Sequence, residues 1–348
     1  MPRSQPLPRI LRMQVGGRAA AQEMRWLREH AYLDKKVKSR EMAFSDMLAR
    51  RVHGEPLQYI LGTQPFGSLD LLVRPPVLIP RPETEDWTLR LASLLRKKSS
   101  FNQSLSTADY PTPNITLIDL CTGTGCIPLL LTSELERSYG GHIRALGLDI
   151  SSHAIALARE NASRSGSTDQ VQFQKADIFA DDFAMVAERY LDSLPFARGE
   201  NAGEALRSDA HGPRADVLTA NPPYIPFDEY VSLPRGVRCY EDVRALLGDR
   251  HRLPQRPATC RNAQLDECSD RTPTHAPSSA SNGLDFYPRI AHLASHLLAR
   301  GGIMALEIGF GQSVAVRAIL AKTPGIEKTE VWNDQFGIPR TVIGFMAR

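Results

Sequence analysis

Five short apolar runs recur between residues 115 and 309, and helical patterns separate them from one another. Runs of this length that are apolar on both faces are typical of strands covered by helices on both sides of a sheet. Alternation of such strands with helices predicts a mostly parallel sheet and therefore an α/β fold. The predicted strands are 115–120, 143–150, 171–178, 215–220 and 302–309.

The C-terminal end of the chain departs from this pattern. Two further strand-like stretches, 327–332 and 341–348, are separated by a short loop. A connection this short forces neighbouring strands to run antiparallel. A parallel sheet closed by one antiparallel hairpin resembles the seven-stranded sheet of the Rossmann-like class I methyltransferases, and we expect that α/β fold here.

The first part of the chain divides by composition. Residues 1–22 contain four arginines and no acid, which is typical of a mitochondrial transit peptide or of a disordered basic tail. Residues 23–96 predict a small N-terminal helical region followed by a β-hairpin. Residues 97–114 are polar and contain proline, which indicates a linker before a methyltransferase domain at 115–348.

Two stretches inside that domain, 192–214 and 248–282, are rich in Arg, Ser, Pro, Asp and Thr. They are longer than ordinary connections between secondary-structure elements. Their composition predicts disordered surface insertions. A partner-binding function for either of them stays open.

Charge and cysteine content restrict the partners. Outside residues 1–22 the chain carries 38 basic against 39 acidic side chains, whereas nucleic-acid enzymes usually present a basic surface. Nucleic acid is therefore not the expected partner.

No apolar run is long enough to span a bilayer. We also expect a monomer. The five cysteines show no metal-site spacing, so reduced thiols and no metal are predicted.

A turn of small residues follows the first predicted strand. Asp119 lies in that strand, and Thr122, Gly123, Thr124 and Gly125 lead into the next helix. Ligands of doubly wound sheets bind at the carboxyl ends of the strands, and small residues let the backbone approach them closely. A tight strand–helix turn without a ligand is the alternative for this feature alone.

Two acids strengthen the prediction of a nucleoside ligand. Asp149 ends the second strand, where a carboxylate suits ribose hydroxyls, and Asp177 ends the third, where it suits an adenine amino group. Each could instead cap a helix. Neither a P-loop nor a complete GxGxxG is present. Cys121 stands where such turns often have glycine, so this position must tolerate a Cβ and we do not expect a strongly positive φ there.

The fourth strand ends in Asn221, Pro222, Pro223 and Tyr224. Proline cannot donate to a strand ladder and fixes its own φ, so the strand must end at Asn221 and the chain beyond it is stiff. A simple strand-terminating turn is the alternative reading.

Four segments together carry a family resemblance. "EPLQYILG" (55–62), "VLIPRPETE" (77–85), "DLCTGTGCI" (119–127) and "ANPPYI" (220–225) occur in this order. They resemble the HemK-type protein-glutamine methyltransferases, which modify the GGQ glutamine of class I peptide-chain release factors. The resemblance covers about residues 50–348 without the two insertions, and the arginine-rich start makes it most like a mitochondrial member.

The resemblance implies a cofactor, a partner and a set of site residues. The cofactor would be S-adenosylmethionine and the partner a class I release factor. The residues that would contact the cofactor are Asp119, Cys121, Thr122, Gly123, Thr124, Gly125, Asp149, Asp177 and Asn221. Asn221 to Tyr224 would hold the substrate glutamine. Because "NPPY" also occurs in adenine amino-methyltransferases, methylation of DNA or RNA is the alternative activity, and a non-catalytic scaffold is a second alternative.

The amide chemistry explains why such a motif would be needed. An amide nitrogen is a poor nucleophile, so its lone pair must be aimed at the sulfonium methyl. The side-chain oxygen of Asn221 and the carbonyl of Pro222 could each accept one N–H, and Tyr224 could stack on the flat group.

Two further acidic features stay open at this level. Glu307, in the fifth predicted strand, could brace the site or pair with an arginine. Pro82 followed by Glu83 and Glu85 predicts a helix start, although Arg81 or Glu83 could also contact substrate.

Overall fold

The structure is a computed structural model, and it describes residues 6–33, 39–104, 115–139, 143–193, 214–252 and 282–348. The helices are α1 (Leu7–Val15), α2 (Gly17–Leu33), α3 (Arg40–Val52), α4 (Leu57–Leu61), α5 (Pro82–Ser104), α6 (Cys126–Tyr139), α7 (Ser152–Ser165), α8 (Phe183–Ser193), α9 (Phe227–Tyr230), α10 (Arg235–Tyr240), α11 (Val243–Leu246), α12 (Phe286–Leu297) and α13 (Ser313–Leu320). The strands are β1 (Thr63–Phe66), β2 (Leu69–Leu72), β3 (Ile115–Leu120), β4 (Ile143–Asp149), β5 (Val171–Lys175), β6 (Ala215–Ala220), β7 (Leu298–Glu307), β8 (Ile326–Asn333) and β9 (Pro339–Met346).

Seven strands form one sheet in the order β5-β4-β3-β6-β7-β9-β8. The first five in this order pair in parallel, whereas β9 runs antiparallel to both β7 and β8. This confirms the predicted Rossmann-like methyltransferase sheet. Strand order reverses between β3 and β6, and ligands of such sheets bind in the crevice outside the carboxyl ends at that point.

Both faces of the sheet are buried. Leu117 of β3 belongs to one apolar cluster, which also contains Trp87 and Leu130 from α5 and α6. Its neighbour Ile118 belongs to the opposite cluster, together with Tyr287 of α12. Because successive side chains of a strand point to opposite faces, near-continuous apolar runs are what a sheet between two helical layers requires.

Local chemistry sets several helix ends. The hydroxyl oxygens of Ser39 and Ser151 accept from the backbone N–H of Met42 and Ala154 at the starts of α3 and α7. Helix α7 ends at Gly166, whose φ of 70° lies in the left-handed region that glycine adopts without strain.

The N-terminal helices α1 to α4 form a small unit with its own apolar cluster. Leu11 and Ala20 are fully buried in it, against Leu27 and Leu48. Residues 7–15 and 17–22, which the sequence predicts as part of a transit peptide or a disordered tail, are thus helical in the structure. The apolar residues at positions 7, 10, 11 and 15 follow helical spacing, but the prediction rested on the arginine-rich, acid-free composition of the segment.

The boundary of this unit differs from the predicted one. The hairpin β1–β2 contributes Phe66 and Leu71 to the same cluster as Trp87 of α5 and the central sheet. Hairpin and α5 thus pack with the methyltransferase sheet, although residues 23–96 were expected to form one N-terminal region. The predicted linker 97–114 is helical up to Ser104, and residues 105–114 lie outside the described residues.

Most of the two predicted insertions, 194–213 and 253–281, also lies outside the described residues. The start of the second is anchored, since the Asp249 carboxylate accepts from the backbone N–H of Phe227 and Gly283 at 2.7 and 3.0 Å. Cys239 is disulfide-bonded, so the expectation of reduced thiols is wrong there. No helix in the described ranges is long and apolar enough to cross a membrane.

Asn161 of α7 fastens the hairpin to the domain. Its buried Nδ2 donates to the carbonyls of Leu72 and Thr124 at 3.2 and 3.0 Å, and its Oδ1 accepts from Leu72 N–H at 2.7 Å. We expect Asn161→Ala to lower the free energy of unfolding by about 1–3 kcal/mol, because buried backbone groups lose their partners.

Urea unfolding followed by circular dichroism measures this effect. The control is Ser163→Ala, an exposed position in the same helix, which should change stability by less than about 0.5 kcal/mol. Equal unfolding midpoints for the two variants would contradict the fastening function of Asn161.

Candidate active site at the carboxyl edge of the sheet

A cavity of about 270 Å³ opens where the strands β3 to β6 end. Its walls come from strand ends and from two distant segments, 76–78 and 242–250. The predicted site residues that line it are Cys121, Gly123, Asp149, Asp177, Asn221 and Pro223. Asp119, Thr122, Thr124, Gly125, Pro222 and Tyr224 do not line it directly.

The Asp149 carboxylate is held at the cavity wall by two backbone donors. Its Oδ2 accepts from Gly123 N–H at 2.9 Å, and its Oδ1 accepts from Ser151 N–H at 2.8 Å. Burial raises the pKa of this carboxyl, and the two N–H groups counteract that rise. Ser151, not Asp149, caps α7. Each carboxylate oxygen keeps acceptor capacity for a ligand hydroxyl.

Asp119 lies behind the turn and is 1% exposed. Its Oδ1 accepts from the Thr219 hydroxyl at 2.6 Å, while Oδ2 has no hydrogen-bond partner among the described residues. Burial raises the pKa of Asp119 to about 7. A buried carboxyl oxygen without a donor is unfavourable, so this atom is suited to a ligand that supplies one.

Cys121 has a φ of 59°, and it is the only non-glycine residue with positive φ in the described ranges. The expectation that Cys121 would not have a strongly positive φ is therefore wrong. The chain must turn sharply between β3 and α6, where Thr122 N–H donates to Leu148 O at 3.0 Å and Gly125 N–H donates to Thr122 O at 2.9 Å. A left-handed non-glycine residue is strained, and such residues persist where the surroundings determine the backbone, often at functional sites.

The far end of the cavity, beyond β5, is aromatic. The Asp177 carboxylate accepts from Phe179 N–H at 2.9 Å. The Phe179 ring meets Phe286 edge-on at 5.2 Å, and the Arg250 guanidinium lies 3.7 Å from its centroid. These apolar and cationic groups were not found from the sequence, because Arg250 and Phe286 come from distant segments with no recognisable motif.

Polar contacts hold the wall segment 242–250 in place. Asp242 N–H donates to Pro76 O at 2.8 Å, and Arg81 donates to both oxygens of the buried Glu241 at 2.6 and 2.7 Å. Arg81 is therefore occupied by an ion pair. Pro82 begins α5, as its position before Glu83 and Glu85 predicts.

Asn221 directly follows the last residue of β6, and the nitrogen of its side-chain amide is already hydrogen-bonded. Its Nδ2 donates to the Thr84 hydroxyl at 3.2 Å. Within the described residues, neither Asn221 Oδ1 nor the Pro222 carbonyl accepts a hydrogen bond. The backbone beyond them is fixed, since Gln312 Nε2 donates to the Tyr224 carbonyl at 2.8 Å. Two acceptor oxygens therefore remain available at this strand end.

Glu307, at the end of the neighbouring β7, is buried beside Asn221. Its Oε2 accepts from the Thr84 hydroxyl at 2.6 Å and from the Trp87 indole N–H at 2.8 Å, and its Oε1 accepts from the Tyr224 hydroxyl at 3.3 Å. Of the two possibilities left open by the sequence, bracing the site is the one observed.

Comparisons with known proteins show what this chain is similar to. A family model described as a methyltransferase domain matches residues 111–193. The release factor glutamine methyltransferase of Geobacter sulfurreducens is 30% identical over 312 residues, covering 89% of this chain and 81% of that protein. The enzyme of the same name from Vibrio cholerae is 31% identical over 299 residues, covering 86% and 76%. Among solved structures, a human methyltransferase 10 domain containing protein has a TM-score of 0.44 at 15% identity and covers 86% of this chain and 96% of that one.

The raised pKa of Asp119 predicts a pH-dependent stability. Its folded value of about 7 exceeds the ordinary 3.8, so the folded chain retains a proton that the unfolded chain loses. This contribution is fully present below about pH 4 and is lost as the pH rises through about 7, with a slope of at most about 1.4 kcal/mol per pH unit.

Asp119→Asn removes this titration. Relative to that variant, the ligand-free wild type should therefore lose unfolding free energy between about pH 4 and about pH 7. Chemical denaturation across this pH range measures the difference. A difference that does not change with pH would contradict the assignment.

Proposed function

Because the chain belongs to the release factor glutamine methyltransferase family, we propose that it methylates the side-chain amide nitrogen of the GGQ glutamine of a class I peptide-chain release factor. The chain is an S-adenosylmethionine-dependent methyltransferase. The observation that supports the glutamine as its target is the pair of free acceptor oxygens on Asn221, which lines the cavity, and on the adjacent Pro222.

S-adenosylmethionine supplies an electrophilic methyl group on a sulfonium centre. The donor set of the cavity fits this cofactor. Asp149 presents two carboxylate oxygens where ribose hydroxyls would bind, and Asp177 lies where an adenine amino group would. The turn 121–125 would let the backbone approach the cofactor closely, and Asp119 lies buried behind that turn.

Asn221 and Pro222 would orient the substrate. A primary amide has two N–H groups, and the Asn221 Oδ1 and Pro222 carbonyl oxygens can each accept one. With both N–H groups held, the nitrogen lone pair is directed at the methyl carbon. The flanking prolines keep the two oxygens at constant spacing. Tyr224 could stack on the flat amide, with its hydroxyl held by Glu307 at 3.3 Å.

No strong base is needed, because the proton can leave after the methyl group has arrived. Alignment of reacting groups can account for about 7–11 kcal/mol of a barrier, so positioning would supply most of the rate.

An adenine amino group is also flat and conjugated, and the same two oxygens could hold it. The release factor relatives and the absence of a net positive charge outside residues 1–22 favour the protein substrate. Methylation of nucleic acid is therefore an outcome that the assay below has to distinguish.

The proposed compartment is the mitochondrion, on the basis of the four arginines in residues 1–22. Leu11 and Ala20 are buried in the N-terminal cluster, so cleavage after residue 22 would remove two core side chains. We therefore propose import without loss of α1. Fluorescence microscopy of the full chain with a C-terminal tag tests the location.

The function is tested by incubating the protein with methyl-labelled S-adenosylmethionine and a class I release factor. Mass spectrometry should find about 14 Da, one methylene, added to the GGQ glutamine. A release factor with alanine in place of that glutamine is the control and should stay unlabelled. Label in added RNA or DNA, with none in the release factor, would overturn the proposal in favour of the adenine reaction.

Two variants separate substrate orientation from cofactor binding. Asn221→Ala should reduce methyl transfer to background while S-adenosylmethionine still binds, because the substrate-facing acceptor oxygen and the Nδ2 donation to Thr84 are lost while Asp149 is kept. Asp149→Ala should instead weaken cofactor binding by about 1–3 kcal/mol, as expected when hydrogen-bonded partners are removed.

Calorimetric titration with the cofactor and the methylation assay report the two effects separately. Asn333→Ala is the control, because Asn333 is an exposed asparagine at the end of another strand. Normal transfer by Asn221→Ala would rule out the two-oxygen mechanism, and unchanged affinity in Asp149→Ala would rule out the ribose contact.

A further inference from the structure

We infer that Thr84 and Glu307 are positioning residues that fix which end of the Asn221 amide faces the substrate. The inference rests on the proposed glutamine methylation. The two acceptor oxygens alone do not explain the orientation of the Asn221 amide. An asparagine side chain can rotate by half a turn and present its N–H groups in place of its oxygen.

The hydrogen-bond donors leave one consistent arrangement. The Trp87 indole N–H can only donate, and it lies 2.8 Å from Glu307 Oε2. That oxygen is therefore an acceptor. The Thr84 hydroxyl lies 2.6 Å from the same oxygen and has a single proton, which it donates there.

Because its proton is used in the bond to Glu307, the Thr84 hydroxyl oxygen can only accept a further hydrogen bond. The Asn221 amide atom at 3.2 Å must then be the donor Nδ2, because two acceptors would repel each other at this distance. Oδ1, at the other end of the planar amide, is left as the unpartnered atom of a side chain that lines the cavity. The direction of three hydrogen bonds thus determines the orientation of the catalytic amide.

Because this network is buried, it favours one orientation of the Asn221 amide over the reversed one. Glu307 and Thr84 are 2% and 1% exposed, so water does not compete for these donors, and a reversed amide would leave a buried acceptor facing another acceptor. A buried polar group without a proper partner is unfavourable, and a fully satisfied network specifies one arrangement.

The same network links two sequence motifs. Thr84 belongs to the segment 77–85 and Asn221 to the segment 220–225, 137 positions apart along the chain. Helix α5 begins at Pro82, so Thr84 and Trp87, three residues apart, project from the same side of its first turns. The helix start that the sequence predicts at Pro82 therefore delivers both donors to Glu307.

The decisive variant is Thr84→Val, which keeps the shape of the side chain and removes the hydroxyl. We expect kcat to fall about 10- to 100-fold, with the KM for the release factor and the affinity for S-adenosylmethionine changed by less than about threefold. Thr84→Ser restores the hydroxyl and should restore most of kcat.

Thr88→Val is the matched control. Thr88 lies one turn further along α5, is equally buried, and donates to the backbone carbonyl of Thr84, not to its hydroxyl, at 2.6 Å. It should leave kcat unchanged even if it lowers stability. A Thr84→Val enzyme with wild-type kcat, or a Thr84→Ser enzyme as slow as Thr84→Val, would overturn the inference.

Glu307 provides an independent test of the acceptor assignment. Glu307→Gln can still accept from Thr84 and Trp87 through its amide oxygen and donate to Tyr224 through its NH₂ group, so we expect kcat within about threefold of wild type. Glu307→Leu removes the acceptor and should lose kcat as Thr84→Val does. Equal losses in both Glu307 variants would contradict the assignment.

The wild-type enzyme in the same assay separates the two levels of the account. If wild type does not methylate the release factor, the proposed function fails. If wild type methylates it and the Thr84→Val and Thr84→Ser variants have the same kcat as wild type, only the positioning inference fails.

Discussion

One buried carboxylate connects the parts of this protein that the reaction needs. Glu307 ends a central strand of the sheet, and it accepts hydrogen bonds from Thr84 and Trp87 of α5 and from Tyr224 beyond β6. Burial raises the pKa of Glu307, and these three side-chain donors act against that rise. A carboxylate in an apolar interior persists only where it is hydrogen-bonded in this way. Helix, sheet and acceptor site are therefore held in one relative position.

The parallel sheet supplies the rest of the geometry. Because its parallel strands all end at one edge, Asp149, Asp177, Asn221 and Glu307 meet there although they are spread over more than 150 positions of the chain. The ends of β4 and β5 carry carboxylates suited to a nucleoside. The ends of β6 and β7 carry the amide and its support. Cofactor and substrate would thus meet at the switch point between β3 and β6.

The sequence predicted those features that depend on local pattern. Apolar runs, turn residues and strand-end motifs were enough for the sheet, its closing hairpin and the lining residues Asp149, Asp177 and Asn221. Features that depend on pairing between distant segments were missed. The Arg81–Glu241 ion pair and the cavity wall with Arg250 have no local signal. The expectation for the φ of Cys121 was wrong because the sharp turn between β3 and α6 imposes a positive φ on this residue. A residue with a Cβ ordinarily avoids such a φ.

The central claim is that two oxygens at the end of β6 hold the target amide. The most direct measurement is a crystal structure of the protein with S-adenosylhomocysteine and a GGQ-containing release factor. The account predicts the glutamine nitrogen within about 2.7–3.2 Å of both Asn221 Oδ1 and the Pro222 carbonyl oxygen. A complex in which that nitrogen contacts neither oxygen, or in which Asn221 presents Nδ2 to it, would contradict the account.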